Sequence, residues 1–173
     1  MINVAENVPT SASDLAGLVR EHLDELATYA THLVGNPRDA MEFVAGGMLH
    51  ATKYPPARLN SDGRVALYRA VTRACKHEQR YPARPRGPAR FFKRHQPRFQ
   101  AELEAESATR MNTVKRALMS IPMDRRAAIL LRDLAGFNYE EIGVVMECSP
   151  EAAGRQLAAA RRDFGSIYRE IAI

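Results

Sequence analysis

Residues 138–162 read NYEEIGVVMECSPEAAGRQLAAARR. Tyr139, Ile142 and Val145, with Met146 beside them, recur at helical spacing, so residues 138–147 read as a short amphipathic helix. Asn138 stands where an N-cap is needed, and Glu140 and Glu141 suit the positive end of the helix dipole. The pattern breaks at Cys148-Ser149-Pro150. Ser149 can cap a second helix with Pro150 at its first position, where a missing N–H costs nothing. That helix extends over residues 150–172. Ala153, Leu157, Ala160 and Phe164 form the stripe that packs on the first helix, and Ala152, Ala153 and Gly154 permit close approach. Arg155, Gln156, Arg161 and Arg162 remain as the polar face. Two helices, a three-residue turn and a basic second helix fit a helix-turn-helix whose second helix enters a DNA major groove. The spacing alone fits an ordinary helical hairpin with a solvated basic face equally well.

Towards the N-terminus the helical period continues. Pro122 opens a helix whose Ala127, Leu130, Leu131 and Leu134 form the apolar side and which Gly136 terminates. Before it, residues 102–120 carry Leu103, Met111, Val114, Ala117 and Leu118 at helical spacing. Residues 81–97, YPARPRGPARFFKRHQP, are rich in proline and basic residues and read as an extended tether. Phe91 and Phe92 within it are expected to pack on a flanking domain, although stacking on bases is a second use for such a pair.

Residues 13–80 supply three further helices. The first, over 13–34, has Leu15, Leu18, Val19, Leu23, Leu26, Ala30 and Leu33 on its apolar side, and Gly35 stops it. The second, over 37–53, begins at Asn36-Pro37 and carries Met41, Val44, Met48 and Leu49. Its Gly46-Gly47 pair weakens it by roughly 1 kcal/mol per glycine relative to alanine and suits close packing or a kink. Ser61 and Asp62 offer caps for the third, which buries Val65, Leu67, Tyr68, Val71 and Cys75 and directs Arg64, Arg69, Arg73 and Lys76 outward. The expected fold is all-α: a small helical domain over 13–80, a basic proline-rich linker over 81–100, and a second helical domain over 101–173 with the helix-turn-helix at its end.

Composition narrows the function classes. Of 173 residues, 46% are apolar and 26% charged, and tryptophan is absent, which suits a globular helical protein. No apolar run reaches membrane-spanning length, and no basic segment followed by an apolar stretch opens the chain, so a cytoplasmic protein without membrane insertion is expected. Cys75 and Cys148 stand apart, without metal-ligand spacing, as expected of a reduced compartment with no structural metal. The formal net charge of +5 is unevenly placed: residues 73–98 hold nine Lys/Arg against Glu78 alone. Such a block suits a polyanion, because each phosphate contact releases counterions, and a solvated linker is the bland alternative. The five histidines are scattered, and no phosphate loop, nucleophile motif or carboxylate pair is present. An enzyme is not expected, nor is a cofactor.

Residues 117–164 resemble region 4 of the extracytoplasmic-function sigma factors. The resemblance rests on Ile121-Pro122, Arg125-Arg126, Leu131, Leu134, Gly136, Tyr139, Glu141-Ile142, Ser149, Leu157 and Ala160-Arg161, in order over nearly the whole stretch. The N-terminal helices are similar to region 2 of that family, through the GNPRDA turn at 35–40 and LYRAVTRACKHEQR at 67–80. Two departures stand out. The acidic, glutamine-rich second helix of the family is reduced here to Asp39 and Glu42, and no tryptophan precedes the LYR run. In the recognition helix Gly154, Ala158 and Ala159 occupy places where the family often has polar side chains.

The resemblance implies a sigma factor that binds core RNA polymerase and directs promoter-specific initiation, with region 2 on the minus-ten element and region 4 on the minus-35 element. It assigns Arg155 and Gln156 to base edges or adjoining phosphates, and Arg161 and Arg162 to the backbone. Ser149 and the start of the recognition helix are assigned to phosphate, with Arg125 and Arg126 as further phosphate contacts. Arg69, Arg73, Lys76 and Arg80 would line single-stranded minus-ten DNA, and Asp39 and Glu42 would meet the polymerase. The alternative is a sigma-like DNA-binding regulator, or a partner of an anti-sigma factor, that does not itself direct polymerase.

Overall fold

The computed structural model describes residues 12–52, 63–80 and 103–172. Among them lie seven α-helices and no strand: α1 (Ala12–Val34), α2 (Pro37–Ala51), α3 (Gly63–Arg80), α4 (Leu103–Ser120), α5 (Met123–Ile129), α6 (Tyr139–Met146) and α7 (Pro150–Ile171). The fold is all-α, as the periodicity indicated. The tail, the expected caps Ser61 and Asp62, the proline-rich tether and the Phe91-Phe92 pair lie outside the described residues.

In the N-terminal module, α1 stops at Gly35, whose φ of +82° suits a residue without Cβ. Asn36 then caps α2 by accepting the Arg38 backbone N–H at 3.0 Å. Leu26, Tyr29, Ala30 and Leu33 of α1 are fully buried, as are Leu67 and Val71 of α3. Each such large apolar side chain contributes about 1.5–3 kcal/mol. Tyr29 carries a hydroxyl into this core and places it 2.7 Å from Thr72 Oγ1. Thr72 in turn donates to the Tyr68 carbonyl at 2.7 Å, so neither buried hydroxyl is left unpaired.

Helix α2 turns a different face inward from the one its large residues suggest. Ala40, Val44, Gly47 and Ala51 are buried, whereas Met41 and Leu49 are 50% and 69% exposed. The cause is proximity. A Cβ on Gly47 would lie 3.0 Å from Val71 Cα, so α2 and α3 meet backbone to backbone and only small residues fit between them. Gly46 faces open space.

In the C-terminal module, α5 begins after Pro122 and runs into a π-helical turn, Leu130–Leu134. Ala135 N–H donates to the Leu130 carbonyl at 3.0 Å, one residue further back than in an α-helix. The extra residue rotates Leu134 out, leaving it 46% exposed rather than on the apolar side. Gly136, at φ +75°, reverses the chain, and Phe137 N–H closes back on the Leu131 carbonyl at 3.0 Å.

Asn138 caps α6 in a reciprocal capping box with Glu141. Gly143 is required inside α6, because a Cβ there would lie 2.8 Å from the Cys148 carbonyl oxygen. Glu147 ends the helix in the left-handed region at φ 60° and ψ 44°. Ser149 caps α7, accepting the Ala152 N–H at 3.2 Å. Ala153, Leu157 and Ala160 are buried as the stripe required. Tyr139, read as part of the apolar face of α6, is instead 47% exposed, with the Arg132 guanidinium 5.7 Å from its ring centroid.

The two modules share one continuous apolar core that runs from Leu26 in α1 to Ala153 in α7. Phe137 enters from the C-terminal side and meets the Tyr68 ring edge-on at 4.9 Å between centroids. Arg64 lies over Phe137 at 4.7 Å and donates to the Ala135 carbonyl at 2.9 Å and to Glu25 at 3.0 Å.

Candidate nucleic-acid interface

Helix α7 presents its polar face to solvent. Arg155 and Arg162 are exposed and stand seven residues apart, about two turns or 10 Å along the axis. Gln156 is half-buried beside them. Arg161 is partly exposed and hydrogen-bonds Asp133, which raises its already high pKa further. Arg125 pairs with Asp163 across α5 and α7. The Ser149 hydroxyl is used within the helix start: it accepts from Ala152 and, by bonding Glu151, holds that carboxyl below its ordinary range. Arg155 and Arg162 therefore form an open pair, while Arg125, Arg161 and Ser149 reach a phosphate only by exchanging an internal partner.

Arg126 is elsewhere. It was expected on the phosphate-facing surface, but it is 7% exposed. Its Nε donates to the Leu118 carbonyl at 2.7 Å, and its Nη2 to the carbonyls of Met119 and Ile121 at 2.9 and 3.0 Å. Nη1 donates to the Leu33 carbonyl at the end of α1. Burial lowers its pKa, yet four carbonyl acceptors compensate the charge. Arg126 is a structural bolt between the modules, and no phosphate contact is open to it here. Sequence spacing could not separate it from Arg125, because both follow the same proline within one turn.

The basic face of α3 is also not where it was expected. Arg69 donates to Glu147 Oε1 from Nε at 3.1 Å and from Nη2 at 2.8 Å. Arg73 Nη1 lies 3.8 Å from the same carboxylate, and Lys76 Nζ lies 2.6 Å from Asp124. With Arg64 on the Ala135 carbonyl, the four described arginine and lysine side chains of α3 all meet the C-terminal module. Arg69 and Arg64 are each 31% exposed and Lys76 24%, so they do not project outward as the spacing suggested; Arg73, at 67%, largely does. The hydrogen bond from Arg69 holds the Glu147 carboxyl below its usual range. Arg80 ends α3, but its side chain lies outside the described residues.

Of the residues assigned to a polymerase, Asp39 and Glu42 are both exposed on α2. Asp39 accepts the Asn36 side-chain amide at 3.1 Å, within the same helix start. Partners that sequence reasoning missed are Glu147, Asp124, Asp133 and Asp163. Each is an isolated carboxylate on a helix or turn, with no spacing signal to tie it to an arginine or lysine far away in the chain. Among the described residues no group of three His, Cys, Asp or Glu could hold a metal ion, and no helix is long and apolar enough to cross a membrane.

The comparison with known families bears on this geometry. The family model described as Sigma-70, region 4, matches residues 111–164, which span the second half of α4, α5, the π turn, α6 and most of α7. Over that stretch the C-terminal module is similar to sigma-70 region 4. The whole described fold is also similar to the sigma factor RpoE from Bartonella quintana, solved in complex with the anti-sigma factor NepR. That match has a TM-score of 0.67 and 18% identity, and it covers 91% of this chain and 98% of that one. The first finding agrees with the region 4 resemblance of residues 117–164, and the second shows that the two chains share a fold. In this module the helix-turn-helix is α6, the Glu147–Ser149 turn and α7, and the open arginines Arg155 and Arg162 lie on its second helix.

Proposed function

We propose that this protein is a sigma-type transcription factor that binds promoter DNA through α7 and, when its modules separate, through α3. The observation that carries the reading is the region 4 match over residues 111–164 together with two arginines left open on the second helix of the helix-turn-helix. Arg155 and Gln156 read base edges or adjoining phosphates of a minus-35 element, and Arg162, with Arg161 and Arg125 released from their carboxylates, grips the backbone. The first turn of α7, with Ser149, offers N–H groups to phosphate. Arg69, Arg73, Lys76 and Arg80 serve the single-stranded minus-ten element. Asp39 and Glu42 contribute to a contact with core RNA polymerase, and the protein acts in the cytoplasm.

One observation favours a second reading, a sigma-like regulator that does not itself direct polymerase: the face of α3 needed for single-stranded DNA is docked on the C-terminal module. The relative of similar fold was solved with an anti-sigma factor, which supports a partner of that kind here. A pull-down of core RNA polymerase followed by run-off transcription separates the two readings. Binding with initiation supports a working sigma factor. Duplex binding that Arg155→Ala and Gln156→Ala abolish, without polymerase binding, supports the regulator. Loss of both activities in the well-folded chain overturns the DNA-binding proposal itself.

A further inference from the structure

We infer that Glu147 and Asp124 act as an internal stand-in for nucleic-acid phosphate, clasping α3 in a self-inhibited arrangement that single-stranded DNA must displace. The inference rests on the assignment of α3 to DNA made above. Three features carry it. First, the cations engaged are those of one stripe: Arg69, Arg73 and Lys76 recur at helical spacing on α3, and each meets a carboxylate of the C-terminal module. A strand of phosphates along that stripe would need the same nitrogen atoms. Second, one carboxylate serves two arginines, with Glu147 Oε1 accepting both donors of the Arg69 fork and lying within 3.8 Å of Arg73.

Third, Glu147 sits where a glutamate is locally unfavourable. It is the only non-glycine among the described residues with positive φ, at 60°, in the turn between α6 and α7. Glycine reaches that conformation without a Cβ penalty. The local backbone gives no reason for a glutamate, whereas its carboxylate spans the gap to α3. Glu147 also lies in the helix-turn-helix itself, so the same turn that orients α7 holds Arg69 and Arg73 of the other module's stripe, while Asp124 of α5 holds Lys76. Duplex binding through Arg155 and Arg162 remains open in the clasped form, because those side chains are exposed. DNA contacts would then be made in order, α7 first and α3 only after the clasp has been broken.

The test compares the full-length chain with the Glu147→Gln/Asp124→Asn double variant and with Glu147→Gly, which relieves the backbone instead of burdening it. The probe is a fluorescently labelled single-stranded deoxyoligonucleotide, followed by anisotropy across a salt series, with helix content checked by circular dichroism. Loss of three surface ion pairs is expected to tighten binding by about tenfold. Freeing three cations for phosphate is expected to steepen the log–log salt slope by up to about 2 units on a single strand. Adding Arg69→Ala and Arg73→Ala to the double variant should remove most of the gain, leaving only the share of Lys76. The quadruple variant has the wild-type net charge, so a gain that survives in full does not come from the released arginines and overturns the clasp. Equal, measurable affinity of the wild-type chain and the variants overturns the clasp while leaving the DNA assignment of α3 intact. No binding by any of the folded proteins overturns that assignment, and the clasp falls with it.

Discussion

Replacing Arg126 with alanine should be among the most damaging single changes in this chain. The guanidinium donates to four main-chain carbonyls, those of Leu118, Met119, Ile121 and Leu33, from a position only 7% exposed. Removing it leaves at least two acceptors without a partner in a region where water is largely excluded, at about 1–3 kcal/mol each. Lost packing of the side-chain stem adds about 1 kcal/mol more. Against this stands recovery of the desolvation cost that lowers the arginine's pKa. The net expectation is about 3–5 kcal/mol, a large part of the 5–15 kcal/mol typical of a folded domain. At about 2–4 °C per kcal/mol for a chain of this size, Tm should fall by about 6–20 °C. Urea denaturation monitored by far- and near-ultraviolet circular dichroism reads the change. Arg126→Lys should recover only part of it, because an ammonium cannot span acceptors in a planar fork. Arg126→Lys should also leave the salt slope of duplex binding unchanged, whereas Arg155→Ala should lower it by about 0.9. An alanine variant within 1 kcal/mol of wild type, or a lysine variant with a reduced slope, would refute the assignment of Arg126 as a structural bolt.

Three further outcomes are expected. Gly47→Ala should destabilise by about 1–3 kcal/mol, since its Cβ meets the Val71 main chain, whereas Gly46→Ala, facing open space one residue away, should stabilise by about 0.5–1 kcal/mol; paired urea titrations decide both. Thiol titration of the native protein at pH 8 should find one fast-reacting cysteine, the half-buried Cys148. Burial pushes the Cys75 thiol up to about 12 and keeps it protonated and unreactive until the chain unfolds. The Glu147 carboxyl is depressed by Arg69, so its contribution to interdomain stability is present at neutral pH and is lost as pH falls through its lowered folded value. The stability difference between wild type and Glu147→Gln should accordingly shrink below about pH 5 and vanish in stronger acid; a difference that persists there would count against the ion pair.

Much of this architecture could be read from the sequence because local rules fix it. Asn138 and Ser149 cap the helices they were expected to cap, α2 begins at Asn36-Pro37 as read, and Gly35 and Gly136 end helices at positive φ. Caps and turns depend on residues close in sequence, which spacing arguments see. The faces of α2 and α3 were harder. Hydrophobic size placed Met41 and Leu49 in the core, but the backbone approach at Gly47 admits only small side chains. The one-residue π insertion moved Leu134 outward, and no helical-period count anticipates such an insertion. The basic stripe of α3 read as outward-facing because a charged face normally meets water, and its carboxylate partners lie more than forty residues further along the chain. Arg155 and Arg162 were legible as exposed cations, and Arg126 was not separable from Arg125 without the fold.

The acceptors of Arg126 also bear on the order of assembly. Three of them lie within eight residues of it in sequence, and the fourth, Leu33, lies 93 residues away. The three short-range bonds close small loops at little entropic cost, so the turn between α4 and α5 can organise while the rest of the chain is still unstructured. The bond to Leu33 forms only when the two halves collide. The guanidinium is by then already held in a planar fork by its neighbours through Nε and Nη2, and Nη1, which also meets Met119 Sδ, is left to reach Leu33. Docking thus meets a preformed socket rather than a floppy side chain, which lowers the entropic cost of joining the two halves.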